Sequence, residues 1–182
     1  MKGVVFTEFL ELVESKFGME VADRVQTKGF PEDTGFTSVG TYDHQILISL
    51  VVELSQETGV PARELVLAFG KHLFHSFSRN FPDTLVGVTN SIDLLQKVEG
   101  VIHGEVQKLY PDAELPSFRF SPSPEGHFQM EYISARPFAD LAEGLIGATI
   151  EHFGDDLRCL RTDLAGPPGT HALFELCPKQ KL

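Results

Sequence analysis

The sequence predicts an α+β fold in which a helical N-terminal lobe is followed by a C-terminal antiparallel sheet with packed helices. Through about residue 110, apolar residues recur at the three- and four-residue spacing of amphipathic helices. After Pro116 the pattern changes to short alternating segments separated by turn-rich sequences, which is typical of strands. A chain of 182 residues can bury a sizeable core, and we predict one domain over residues 1–182.

Four helices are predicted in the N-terminal half of the chain. Their approximate bounds are Val5–Phe17, Met19–Lys28, Asp43–Glu57 and Pro61–Arg79. Gly18 and Gly59 follow helical apolar patterns and are typical of helix C-termini, whereas Pro61 is favoured in the first turn of a helix. Residues 29–43, GFPEDTGFTSVGTYD, are rich in Gly, Pro and Asp and predict a loop.

A long helix is predicted after the break at Pro82 and Asp83. Asn90 or Ser91 can cap it, because either side chain can accept a hydrogen bond from a backbone N–H of the first turn. Pro111 ends the helix, since proline cannot continue it. The apolar face is formed by Ile92, Leu95, Val98, Ile102, Val106 and Leu109.

The region after Pro116 predicts the sheet. SFRFS (117–121) and HFQMEYIS (127–134) alternate apolar and polar residues, and the turn-rich SPSPEG connects them. A helix from roughly Phe138 to Phe153 follows. Two further strands near Leu157–Thr162 and His171–Cys177 are separated by the turn AGPPG.

Tyr132, Ser134 and Arg136, in the sequence YISAR, form a candidate binding site for a small dianion. On an extended segment, residues two apart point to the same side, so two hydroxyls and a guanidinium would face one spot. Arg136 can bind a carboxylate through two parallel hydrogen bonds. A phosphate could use the same donors, but heme presents two propionates side by side and also needs an axial ligand. His103, in the apolar helical segment VEGVIHGEVQKLYP, is a candidate for that ligand.

These residues resemble the heme nitric oxide/oxygen-binding (H-NOX) domain family, which includes the sensor module of soluble guanylate cyclase. VIHGEVQKLYP precedes YxSxR, Tyr132 follows His103 by 29 residues, MKG opens the chain and GLIGA follows the YxSxR segment. The resemblance extends over nearly the whole chain. It implies a b-type heme between the two lobes, with His103 as the proximal iron ligand and Pro116 against the porphyrin. It also implies that Tyr132, Ser134 and Arg136 hold the propionates.

The histidines also have a structural interpretation. A lone helical histidine at the border of an apolar face, such as His103, is more often a boundary residue than a ligand. The motif downstream favours the ligand role, and Gly104 leaves room for a flat macrocycle. His72 and His75 have the i, i+3 spacing of metal ligands, but the sequence places no acidic residue or cysteine with them. We therefore expect these two histidines at the surface.

The aligned gas-binding side of the heme is apolar. The resemblance assigns to it Val5, Phe9, Leu73, Phe77, Leu141 and Leu145. Oxygen-binding members of the family have a tyrosine where this chain has Leu141, and a hydroxyl donor stabilises bound oxygen because that oxygen carries partial negative charge. None of the six side chains can donate a hydrogen bond. We therefore predict a sensor that binds nitric oxide and carbon monoxide and excludes oxygen.

The resemblance also implies a switch and a partner. Nitric oxide weakens the bond opposite to it, so the iron–histidine bond breaks, which leaves a five-coordinate nitrosyl heme and would free His103 and its helix. With Arg136 on the propionates and Pro116 pressing on the porphyrin, the heme could flatten and move the N-terminal lobe. A partner that senses this change would be a histidine kinase or a cyclic-di-GMP enzyme acting in trans.

Three other functions stay open at this point: an oxygen-binding heme protein, a heme enzyme or gas scavenger, and a heme-free interaction module. Cleavage of O–O bonds requires polar groups beside the heme, which the aligned pocket lacks. The intact residues His103, Tyr132, Ser134 and Arg136 argue against the loss of heme. The sequence has no nucleophile elbow, Walker loop or HExxH pattern, so we predict a sensor and not an enzyme.

Composition and charge restrict the partners and the compartment. The formal net charge of −11 disfavours nucleic acid and anionic membranes and favours a cationic protein surface. No apolar run reaches membrane-spanning length, and the acidic residues near the start of the chain exclude a secretory signal. We therefore predict a cytoplasmic protein.

The two cysteines, Cys159 and Cys177, are too few for a disulfide framework. Some members of the resembled family hold a structural zinc ion in the C-terminal sheet. Here only Cys159, His171 and Cys177 could contribute, which falls short of the usual four ligands, so we predict no zinc site. The two cysteines could still form a redox pair if their strands are neighbours.

Overall fold

The N-terminal lobe is helical, as the sequence predicts. The computed structural model describes residues 1–30 and 35–179, so part of the predicted loop, residues 31–34, lies outside the described residues. The helices of this lobe are α1 (Gly3–Phe17), α2 (Met19–Gly29), α3 (His44–Thr58) and α4 (Ala62–Asn80). Gly18 and Gly59 end α1 and α3 with φ angles of 90° and 73°, a backbone region in which glycine meets no steric penalty. The N-terminal boundary of α3 is set by Asp43, whose carboxylate accepts a hydrogen bond from the N–H of Gln45 at 2.9 Å.

The long helix predicted between Asn90 and Pro111 forms as an unbroken helical run, but its middle turn is π-helical. A short 3-10 turn, Pro82–Leu85, is followed by α5 (Ser91–Lys97), a π-helical turn (Val98–Ile102) and α6 (His103–Leu109). The Asn90 side chain accepts from the N–H of Asp93 at 2.9 Å, which identifies Asn90 as the cap of α5. The π-helical turn corrects the prediction of one regular helix, and it places His103 at the first residue of α6. Such turns often lie at functional sites.

The C-terminal half forms a four-stranded antiparallel sheet with the strand order β1-β2-β4-β3. Its strands are β1 (Ser117–Pro122), β2 (Phe128–Ile133), β3 (Leu157–Asp163) and β4 (His171–Pro178). Between β2 and β3, α7 (Ala139–Phe153) begins where a helix is predicted. The α+β prediction is therefore confirmed.

The buried apolar residues connect the two halves of the chain. The core of the helical lobe is built around residues such as Phe6, Phe9 and Leu50, and Phe138 from the C-terminal half packs into it. A second core forms between α7 and the sheet around Ile146 and Phe174. Helix α7 packs on both α4 and the sheet and so joins the lobes. No helix among the described residues is long and apolar enough to cross a membrane.

Candidate functional site

His103 is a largely buried imidazole at the start of α6, with 16% of its side chain exposed. Its ring lies 5.7 Å from the ring of Phe118 on β1, measured between centroids. Its Nδ1 atom lies 3.5 Å from Oε2 of Glu99, four residues earlier. Burial lowers the pKa of His103, and the nearby Glu99 carboxylate partly opposes this shift. The imidazole is therefore neutral at pH 7, which is the form that binds a metal.

Phe118 contacts the ring of Tyr132 as well as that of His103. Phe118 and Tyr132 are paired across β1 and β2, and their ring centroids are 5.7 Å apart. Tyr132 is only 2% exposed, and burial raises the pKa of its phenol, so the hydroxyl stays protonated and can donate. Phe118 thus connects the candidate axial ligand with the first residue of the YxSxR motif.

The YxSxR segment leaves the strand after Ile133. Strand β2 ends at Ile133, so the extended conformation that the sequence interpretation assumed for Tyr132, Ser134 and Arg136 does not continue to Arg136. Instead the Ser134 hydroxyl accepts a hydrogen bond from the N–H of Arg136 at 3.0 Å, and the Tyr132 hydroxyl donates to the Arg136 carbonyl at 3.4 Å. Tyr132, Ser134 and Arg136 still lie close together, but the hydrogen bonds of a turn position them instead of an extended strand.

The guanidinium of Arg136 binds the side-chain carboxylate of Glu114, and a second donor lies 3.5 Å from the Glu114 carbonyl. Only 16% of the Arg136 side chain is exposed, whereas 75% of the Glu114 side chain is exposed. An exposed carboxylate can be replaced by another carboxylate at little cost, because an ion pair that faces solvent is weak. Glu114 lies two residues before Pro116, which is half-buried and precedes β1.

The six residues predicted on the gas-binding side belong to one apolar cluster. Phe9 and Leu73 are buried there, with Val5, Phe77, Leu141 and Leu145 packed against the buried residues. Leu145 also packs against a smaller cluster that includes Ile102, the residue before His103. The structure therefore places the predicted pocket residues together, and Leu145 links them to the turn that carries His103.

One hydroxyl in this cluster was missed by the sequence interpretation. Tyr42 packs against the same core, with its ring 5.4 Å from that of Phe6 and 5.0 Å from that of Phe36. Its hydroxyl accepts a hydrogen bond from the N–H of Thr37 at 2.9 Å and lies 3.4 Å from the Thr37 hydroxyl. Because Tyr42 lies in a predicted loop, the sequence gave no indication that its ring packs against the core.

The arrangement fits a flat, dianionic, iron-containing group. His103 presents Nδ1 to Glu99, which leaves Nε2 as the ring nitrogen for a metal. A Cβ atom built on Gly104 would meet nothing within 4 Å, so the chain beside the ligand is open. Arg136 already holds a carboxylate, and the adjoining cluster offers apolar walls. These are the donors that a heme with two propionates requires.

Another ionisable cluster lies in the helical lobe and corrects the interpretation of His72. Nε2 of His72 on α4 lies 3.0 Å from Oε2 of Glu8 on α1, and Glu8 is only 8% exposed. Glu11 brings a third potential ligand atom, and all three atoms lie within 4.8 Å of one another. His72 is thus not a free surface histidine, because it pairs with a buried carboxylate that is remote in sequence.

The cysteines are not arranged as a redox pair. Strands β3 and β4 are neighbours, but Cys159 pairs with Leu176, whereas Cys177 pairs with Arg158. Adjacent residues of a strand point to opposite faces, so the two thiols lie on opposite sides of the sheet. Burial also raises the pKa of Cys159 to about 12, which suppresses its reactive thiolate. The redox hypothesis is therefore wrong for this arrangement.

A charged surface cavity lies against α7 and β3, and neither His103 nor Tyr132 lines it. Its arginines are paired. Arg161, with 12% of its side chain exposed, binds Asp140 and lies 3.3 Å from Glu143, and Arg63 binds Glu143 at 2.9 Å. Within these ion pairs the positive and negative charges neutralise one another. Because the pairs also connect α4, α7 and β3, a structural role is favoured for this cavity.

Comparison with known proteins places the chain among heme proteins. A family model described as Haem-NO-binding matches residues 2–160. An unliganded Fe(II) H-NOX protein from K. algicida is 34% identical, with a TM-score of 0.87 over 100% of this chain and 98% of that one. The IWP-051-bound H-NOX from Shewanella woodyi in the Fe(II)CO state is 40% identical, with a TM-score of 0.83 over 98% of this chain and 95% of that one.

An H-NOX protein from S. oneidensis in the Fe(II)NO state is 26% identical, with a TM-score of 0.89 over 99% of this chain and 100% of that one. A comparison with curated protein sequences found no match. The match to the family model covers most of the chain, and the structural matches cover nearly all of it.

Proposed function

This chain belongs to the Haem-NO-binding (H-NOX) family of heme-based gas sensors, and we propose that it senses nitric oxide through a ferrous heme ligated by His103. The observation that carries the proposal is the largely buried, neutral imidazole of His103, whose Nδ1 faces a carboxylate and whose Nε2 is left for a metal. The function proposed is sensing and not enzymatic catalysis.

Three parts of the chain would hold the heme. His103 would supply the axial nitrogen. The Arg136 guanidinium would bind the propionates together with the hydroxyls of Tyr132 and Ser134, in place of Glu114. Pro116, at the entrance to β1, would press against the porphyrin face. The binding of Arg136 to the Glu114 carboxylate supports the propionate role.

When bound, a b-type heme supplies the ferrous iron at which nitric oxide and carbon monoxide bind. The gas-binding side would be formed by Val5, Phe9, Leu73, Phe77, Leu141 and Leu145, which lie in one apolar cluster. These side chains exclude water and carry no N–H or O–H group. The Tyr42 hydroxyl in the same cluster is engaged with Thr37. Oxygen, which depends on a hydrogen-bond donor, would therefore be excluded.

The related structures support the choice of gases. The S. oneidensis protein was solved in an Fe(II)NO state and the Shewanella woodyi protein in an Fe(II)CO state. Both ligands bind ferrous heme with little need for a donor. We extend nitric oxide and carbon monoxide binding to this chain on that similarity and on its apolar pocket.

His103 would be the residue released when nitric oxide binds to the heme. The π-helical turn before His103 and the short helix α6 after it would then be free to repack against Phe118. A ligand that favours one of two packings shifts their populations. A histidine kinase or a cyclic-di-GMP enzyme would detect this shift in trans, and the net charge of −11 favours a cationic surface on that partner.

The proposal is tested by absorption spectra of the reduced, heme-loaded protein under argon, air, carbon monoxide and nitric oxide. We expect a five-coordinate ferrous spectrum under argon, no stable oxygen complex in air, and a five-coordinate spectrum with nitric oxide. A stable oxygen complex would overturn the selectivity, and failure to take up heme would overturn the sensor function. For signalling, equal binding of a candidate kinase with and without nitric oxide would contradict the proposed switch.

A further inference from the structure

We propose that Glu99 is a positioning residue that orients His103 and strengthens its bond to the heme iron. The inference rests on the proposed function, because it requires His103 to be the axial ligand. It concerns a residue that the H-NOX resemblance does not identify. The residue lies in the π-helical turn immediately before the ligand.

Glu99 is fixed by a contact to the sheet. Its Oε2 atom accepts a hydrogen bond from the backbone N–H of Phe118 at 3.0 Å. The same oxygen lies 3.5 Å from Nδ1 of His103. One carboxylate oxygen therefore contacts both the candidate ligand and the strand whose phenylalanine packs against that ligand. The Glu99 side chain is 42% exposed, so its carboxylate remains partly hydrated.

The π-helical turn brings Glu99 and His103 together. The backbone N–H of His103 donates to the carbonyl of Val98, five residues earlier, which is the hydrogen bond of a π-helix. Residues four apart lie on the same side of a helix, and the Glu99 and His103 side chains make such a pair across this turn. Glu99 therefore stands beside the imidazole, and β1 holds it there through Phe118.

The position of Glu99 determines which imidazole nitrogen can bind iron. A carboxylate beside Nδ1 favours the tautomer with the proton on Nδ1, and the lone pair is then on Nε2. At 3.5 Å the Glu99 oxygen lies at the outer limit of hydrogen bonding to Nδ1. Such a partner makes a ligating histidine more basic and fixes its ring orientation. Glu99 would thus oppose the release of His103.

The test uses the heme-loaded protein with Glu99→Gln and Glu99→Ala. The glutamine variant keeps an oxygen that can accept from Phe118 but lacks the charge beside Nδ1. Resonance Raman spectra of the reduced, gas-free protein report the iron–histidine stretching frequency. We expect this frequency to fall in both variants, more in Glu99→Ala, and heme loss to apomyoglobin to become about tenfold faster in Glu99→Ala.

Glu105→Gln is the matched control, because Glu105 lies on α6, is 60% exposed and binds Lys108 at 2.6 Å. Its iron–histidine frequency should equal that of the wild type. A wild-type frequency in both Glu99 variants would overturn the positioning role and leave His103 as the ligand. Absence of the iron–histidine band in the wild-type protein would overturn the proposed function itself, so the two failures are distinguishable.

Discussion

Gly70 of α4 and Gly144 of α7 face each other where the two helices cross, with no side chain between them. A Cβ atom added to Gly70 would lie 2.8 Å from the Cα of Gly144 and 2.4 Å from the carbonyl oxygen of Leu141. A Cβ atom added to Gly144 would lie 2.3 Å from the carbonyl oxygen of Leu67. All three distances are shorter than real Cβ contacts, so the crossing requires glycine at both positions.

This crossing sets the shape of the proposed pocket. Leu73 lies less than one helical turn after Gly70, and Leu141 and Leu145 flank Gly144 on α7. All three leucines belong to one apolar cluster. The spacing of α4 and α7 therefore fixes how closely the pocket side chains from the two helices approach one another.

We predict that Gly144→Ala separates α4 from α7 and lowers the free energy of unfolding by about 1–3 kcal/mol, because the new methyl group collides with rigid backbone. Denaturant unfolding of the wild type and variant measures the change. Gly147→Ala is the matched control on the same helix, since its Cβ would lie 4.0 Å from the Lys71 side chain. That variant should be neutral or stabilised by up to about 1 kcal/mol. Equal destabilisation by both variants would contradict the close crossing.

Arg136→Ala should weaken heme retention, because it removes the guanidinium proposed for the propionates. Heme transfer to apomyoglobin should be at least about tenfold faster, in line with the loss of a charge-assisted hydrogen bond of about 1.5–3 kcal/mol. Arg119→Ala serves as the control, since its side chain is 75% exposed and lies 3.9 Å from Glu131. Unchanged heme retention in Arg136→Ala would exclude the propionate role.

Leu141→Tyr should introduce oxygen binding or at least slow the release of oxygen, because it places a hydroxyl donor in the apolar cluster. Leu141→Phe is the control, since it adds the same ring without the hydroxyl. Stopped-flow mixing of the reduced proteins with oxygen compares the two variants. Identical behaviour of the tyrosine and phenylalanine variants would show that position 141 does not face the bound gas.

His171 should make the stability of the sheet depend on pH. A hydrogen bond to Glu131 on β2 raises the pKa of His171 above its ordinary value of 6.5, and a contact to the Ala165 carbonyl adds to the shift. The folded state thus binds this proton more tightly than the unfolded state does. The stabilising contribution is fully present below pH 6.5 and is lost as the pH rises through the raised pKa.

Unfolding measurements at pH 5.5 and 8.5 on the wild type and His171→Gln test this contribution. The variant should be destabilised relative to the wild type at the lower pH, and the difference should shrink at the higher pH. In a Glu131→Gln background the effect of His171→Gln should largely disappear, because the partner carboxylate is gone. A pH-independent difference would contradict the assignment to this pair.

Much of the fold was predictable from local patterns. Gly18, Asn90 and Pro111 mark helix boundaries through their backbone preferences, and alternation predicted the strands with small errors at their ends. The π-helical turn was not predictable, because the apolar spacing from Ile92 to Val106 is compatible with a regular helix. A π-helical turn lengthens each backbone hydrogen-bonded ring by one residue. This change has less effect on the spacing of the apolar side chains than on the backbone hydrogen bonds.

The candidate site was predictable only in part. His103 and Tyr132 could be named from the resemblance, and Phe118 now connects them in space. The pairing of Glu8 with His72 could not be predicted, since it joins helices 64 residues apart. A contact between Glu99 and His103 could have been predicted, because the two residues are four apart on a helix. The contact of Glu99 with β1 could not, since it depends on the tertiary fold.

The most direct test of the central claim is the iron–histidine stretching band of reduced, gas-free His103→Gly in the absence and presence of added imidazole. If His103 is the axial ligand, the band is absent in the variant, returns with imidazole, and is unaffected in the control His75→Gly. The variant without imidazole should also resemble the nitric-oxide-bound wild type in its interaction with a partner. A wild-type band in His103→Gly without imidazole would show that another residue ligates the iron.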